Sequence, residues 1–183
     1  MSKLFRATLW ILSGIGLIAF FFQTLSTFLI SPLMGLLSLL IAAILVALVI
    51  YLLQRSPMWA RPARLWAALA FLWGGGVAVA LALISAGPVM QLAIGSGWVD
   101  AMMSWSGAYP EEISKATGVI FVLMSFRQLN RPWHGWMVGA VVGLGFEACE
   151  NILYGAMGAT MHPDSDIQGL SDMWGLSLIA GPG

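Results

Sequence analysis

Residues 7–54 read ATLWILSGIGLIAFFFQTLSTFLISPLMGLLSLLIAAILVALVIYLLQ, and not one of them is charged. A bilayer span takes about 20 apolar residues, so this run between Arg6 and Arg55 is long enough for two. Ser31-Pro32 stands near its middle and marks the turn. The reading is one helix over 8–30 and a second over 33–53. Lys3 and Arg6 resemble the basic start of a signal peptide, but the apolar stretch that follows exceeds the usual core of about 7–15 residues.

The rest of the chain agrees. Only 9% of the 183 residues are charged, against about 25% in soluble domains, and 60% are hydrophobic. Eight basic and eight acidic residues leave no net charge, and no basic stripe is available for nucleic acid. One cysteine excludes a disulfide framework and a cysteine metal cluster. Further spans are expected over 65–84, 110–126 and 133–157, with a partial sixth over 173–183. Residues 86–110, broken by Gly87, Pro88, Gly95, Gly97 and Gly107, read as an irregular segment lying at the interface on Trp98, Trp105 and Tyr109. Gly74, Gly75 and Gly76 predict a close helix contact, and so does the stripe Gly135, Gly139, Gly143. The fold class is all-α, a polytopic transmembrane helical bundle in a single membrane-embedded domain.

The charges orient it. Lys3, Arg6, Arg55, Arg61, Arg64, Arg127 and Arg131 fall at one end, which the positive-inside rule makes cytoplasmic, with the N-terminus. Asp100, Asp164, Asp166 and Asp172 fall at the other. Glu111, Glu112, Lys115, Glu147 and Glu150 do not sort. Ionisable groups inside a membrane are costly, at about 2.5–3.5 kcal/mol on insertion scales, and ordinarily mark a site. At about 1.5 Å per residue, Glu111 and Glu112 on the fourth span reach a depth similar to Glu147 and Glu150 on the fifth. The short connection from Arg127 to Pro132 makes these spans neighbours. Glu111 and Lys115 have the spacing of a helical ion pair. Cys149 reads as packing, His134 as an interfacial residue and His162 as a solvated loop residue.

Two motifs carry a resemblance. Pro110-Glu111-Glu112-Ile113-Ser114-Lys115 is similar to the EExxK motif of the PrsW intramembrane proteases, distant relatives of the CAAX-processing membrane proteases. Gly143-Leu144-Gly145-Phe146-Glu147-Ala148-Cys149-Glu150-Asn151-Ile152-Leu153-Tyr154 resembles their second motif, G-x-G-F-x-x-x-E-N-x-x-Y. The resemblance implies an endopeptidase of the cell membrane that makes the site-one cut, on the extracytoplasmic side, in a single-span substrate such as an anti-sigma factor. It implies that Glu111 and Glu112 include the residue that activates water and that Lys115 completes the first motif. Phe146 would support the site, and Glu150 would be the second acid with Asn151 beside it. Glu147 falls at a variable motif position and takes no role. Zinc or another divalent metal, with Glu112 and Glu150 as candidate ligands, and a metal-free glutamic mechanism both stay open. A third motif, bearing histidine on a later span, would begin near Ala180-Gly181-Pro182-Gly183, so the chain reads as a fragment with an incomplete catalytic set. A small proton-coupled transporter and a non-catalytic membrane scaffold are the alternatives for the same charges.

Overall fold

A computed structural model describes residues 3–161, and all the regular structure among them is helical. The expected sixth segment, His162, Asp164, Asp166 and Asp172 lie outside the described residues. Helix α1 spans Lys3–Ile30 and α2 spans Pro32–Arg55. Between them stands Ser31 alone. Its hydroxyl accepts from the Met34 amide at 3.2 Å, and Pro32 opens α2. A capping side chain followed by proline suits a helix start, so two residues make the whole hairpin.

Helix α3 runs from Arg64 to Gly95. This corrects two boundaries: the third span does not stop at 84, and Gly87-Pro88 does not break it. Proline removes one backbone hydrogen bond. In an uncharged run lying in lipid, leaving the helix would orphan several, so the helix continues. At about 1.5 Å per residue α3 is about 48 Å long. The chain then folds back through the 3-10 turn Val99–Ala101 and the short helix α4, Met102–Ser106. Trp98 stands edge-on to Trp105 at 4.9 Å, and Trp105 lies 5.2 Å from Tyr109. Helix α5, Ala108–Ser125, is about 27 Å long, so its start lies well short of the tip of α3. Helix α6 spans Pro132–Met161. By length and composition α1, α2, α3 and Pro132–Gly155 of α6 are able to cross a membrane. The fifth long helix, α5, holds the three charges Glu111, Glu112 and Lys115.

The bundle closes around glycine. Residues Trp73–Ala78 form one wide π turn within α3. A methyl group on Gly74 would meet the Val142 carbonyl of α6, and one on Gly76 would meet the Gly16 carbonyl of α1. One on Gly145 would meet the Phe71 carbonyl. Three backbones thus touch at a single level. The expectation for Gly74–Gly76 holds, but the stripe Gly135, Gly139, Gly143 is not the tight face. The nearest atoms to Cβ positions at Gly135 and Gly139 are 3.9 Å away on α5, and Gly143 has nothing within 4 Å. Periodicity picked out a face of α6 that lies loosely against α5, while Gly145 packs into α3. Outward, Phe21, Phe22, Leu36, Leu40 and Leu48 are exposed, the surface expected against lipid.

Gly145→Ala is therefore expected to destabilise the bundle by about 1–3 kcal/mol, because a carbonyl stands where the methyl must go. Gly143→Ala should stay within about 0.5 kcal/mol of the parent. Reversible unfolding in mixed micelles measures both.

Candidate active site

On α5 the residues Pro110, Ser114, Gly118, Val122 and Ser125 are buried, a stripe at helical spacing. Trp73, from the π turn of α3, packs into it. The Trp73 indole N–H donates to the Ser114 carbonyl at 3.0 Å, and the ring stacks on Phe121 at 5.2 Å. Gly118 leaves the room, since any side chain there would strike the indole. This contact fixes the rotation of α5 and sets Glu111 and Lys115 on the half-buried flank that faces α6.

The Lys115 ammonium makes two contacts there. It lies 4.3 Å from the centre of the Phe146 ring on α6, a cation–π geometry. It also pairs with the Glu112 carboxylate at 2.6 Å. The partner is thus the acid three residues back, not Glu111 as the i,i+4 spacing suggests. Glu112 is the more exposed of the pair, with 68% of its side chain accessible against 22% for Lys115. Glu111 makes no ion pair among the described residues, and Glu111, Glu147 and Lys115 all lie near enough to Glu150 to act on its charge. The Tyr154 hydroxyl lies near enough to the Glu150 carboxyl to act on it. Glu111 of α5 and Glu150 of α6 thus lie within electrostatic range of each other.

Of the six candidate residues, Glu111, Lys115, Phe146 and Glu150 therefore converge. Glu112 joins them through Lys115, and Asn151 stands aside: its amide donates to the Glu147 carboxylate at 3.3 Å. Tyr154 is an addition. Its closing position in the second motif, one helical turn beyond Glu150, is the signal available for it. Cys149 is buried in the main apolar core, as its packing role requires. His134, at the start of α6, is also buried, and its Nδ1 accepts the Arg131 amide at 3.1 Å, tying down that helix end.

On the other side of α5 a cavity of about 610 Å³ opens toward the second half of α3. Pro110, Ile113 and Ser114 line it from α5, and Leu81 and Val89 from α3. It begins at the helical turn that carries Glu111, and its walls are mostly apolar.

Catalytic zinc takes three protein ligands as a rule. Among the described residues no group of three His, Cys, Asp or Glu side chains could hold a metal ion. Glu112, a candidate ligand, is engaged by Lys115 instead.

Comparison with protein families gives a match. The model for the PrsW family intramembrane metalloprotease covers residues 61–183, which takes in both motifs. No curated protein and no solved structure matches the chain. With two thirds of its length under that model, this multi-pass membrane protein belongs to the PrsW family of intramembrane proteases.

Proposed function

We propose that the chain cleaves a single-span membrane protein, an anti-sigma factor being the type of substrate, with a site-one cut near the outer face of the cell membrane. The convergence of Glu111 and Lys115 on α5 with Phe146 and Glu150 on α6 carries this reading. The seven basic residues at the opposite end turn the N-terminus toward the cytoplasm under the positive-inside rule, and the acids outward.

In this mechanism Glu111 takes a proton from a water, and the resulting hydroxide adds to the peptide carbonyl. The Lys115 ammonium, held over the Phe146 ring and by Glu112, balances the negative charge that develops on the carbonyl oxygen. The C–N bond then breaks. The proton passes through the facing carboxyls to the departing amine, with Glu150 delivering it and Tyr154 orienting Glu150. The apolar cavity beside α5 offers room for substrate side chains next to the scissile bond. The family description names a metal, whose chemistry would be to polarise the carbonyl or acidify the water. Among the described residues the donors do not complete a ligand set, and the steps above are those that side chains of this chain supply.

Glu111→Gln and Glu150→Gln should each slow cleavage by about 100-fold or more, the loss expected for a proton-transferring group. Glu112→Gln should cost less, about tenfold, because it loosens Lys115 without removing the base. Immunoblots of a tagged single-span reporter in membranes give these rates, and normal cleavage by all three variants would sink the proposal. For sidedness, cysteines are placed at exposed Ser104 and Asn130. An impermeant maleimide added outside intact cells should label Ser104→Cys and leave Asn130→Cys untouched. Buried Cys149 gives little background.

A further inference from the structure

The end of the bundle opposite the acids holds a second concave site. Its floor is the connection between α2 and α3. The Trp59 and Trp66 rings lie 4.7 Å apart, and the Trp66 indole donates to the Ala60 carbonyl at 3.0 Å, so this connection is pinned to α3. Above it opens a cavity of about 1110 Å³. Arg6 at the start of α1, Arg61 in the connection and Arg64 at the start of α3 all line it. Gln128, between α5 and α6, closes another side and donates to the Pro62 carbonyl at 3.3 Å.

Charge in this cavity is unbalanced. The ion pair between Glu112 and Lys115 is the sole one among the described residues, so none of the three guanidinium groups has a carboxylate there. Two other arginines at this end rest on aromatic rings: Arg55 is 4.3 Å from the Tyr51 ring centre and Arg131 is 5.7 Å from that of Trp133. The start of α3 adds to the excess. Ala63 occupies the capping position and has no side chain to cap with, and the first turn has no acid. Ala63, Arg64 and Leu65 line the cavity, so the open amides of a long helix and its positive end lie in the wall. The positive-inside rule accounts for arginines at this end. It does not call for three of them around one cavity that also holds an uncapped helix start.

We propose that this cavity binds the phosphate of an anionic phospholipid headgroup. Arginines and helix amides together are the donor set for phosphate. Leu65 and Phe126 in the wall supply apolar surface, which a tethered headgroup uses and a free ion does not. The cavity also lies at the ends of spanning helices, where headgroups are found. This inference stands apart from the proteolytic reading, since none of its residues belongs to the acidic site.

The test uses the whole chain in micelles, titrated with phosphatidylglycerol, cardiolipin or phosphatidylcholine and followed by native mass spectrometry. Phosphatidylglycerol and cardiolipin should be retained in preference to phosphatidylcholine. The double variant Arg61→Gln, Arg64→Gln should weaken that retention about thirtyfold, taking roughly 1 kcal/mol for each basic residue. Arg127→Gln, outside the cavity, should not change it. Ala63→Asp supplies a cap to α3 together with a repelling carboxylate. It should keep the fold and lose the lipid, which separates lost binding from lost structure. Equal retention of charged and zwitterionic lipid would overturn the proposal. So would an Arg127→Gln loss as large as that of the double variant, retention by Ala63→Asp, or displacement of the lipid by inorganic phosphate at equal concentration.

Discussion

Backbone meets backbone where Gly16 of α1, Gly76 of α3 and Gly145 of α6 lie, and the other helices are placed by that contact. Between helices in lipid there is little hydrophobic drive, because the acyl chains are as apolar as leucine. Close van der Waals approach must replace it, and it strengthens as side chains shrink. The π turn at Trp73–Ala78 widens α3 at the level of the contact. Carbonyls of Gly16, Phe71 and Val142 then sit where side chains would otherwise be. Around this seam the large buried side chains Trp66, Trp73 and Met137 complete the core.

The acidic site is a consequence of that seam at one remove. Once Gly145 has fixed the rotation of α6, the next residue, Phe146, turns toward α5, and Glu150 follows one turn further on. Trp73 does the same for α5 from the other side, holding the Ser114 carbonyl and filling the notch at Gly118. Lys115 is then the hinge between the two motifs: its charge is shared between an aromatic face on one helix and a carboxylate on the other. A lysine in a low-dielectric setting needs such partners, and they also explain why a motif lysine accompanies two glutamates.

Much of this could be read in the residues. The uncharged run 7–54 gave the first hairpin, and the charges that failed to sort gave the two helices that meet at the acids. Gly74–Gly76 announced a close contact. The neighbour across a helix face was not legible, because periodicity identifies a face and not its partner. Spacing therefore points to the stripe ending at Gly143 where the tight contact is at Gly145, and to Glu111 where the partner of Lys115 is Glu112. Gly87-Pro88 looked like a break because local propensity favours one, while the apolar setting penalises the unpaired groups a break would expose. Tyr154 closes the second motif and so was legible, whereas Trp73 became visible only once tertiary structure brought it to the site.

The glycine seam also bears on how variation along this chain should be interpreted. Positions 16, 74, 76 and 145 admit no side chain for steric reasons alone, whereas Glu111 and Glu150 would be constrained by chemistry. Both kinds of position would look equally intolerant in a survey of substitutions scored only by loss of function. Abundance in the membrane tells them apart. A glycine replacement should lower the amount of folded protein, whereas a glutamine at an acid should leave that amount unchanged.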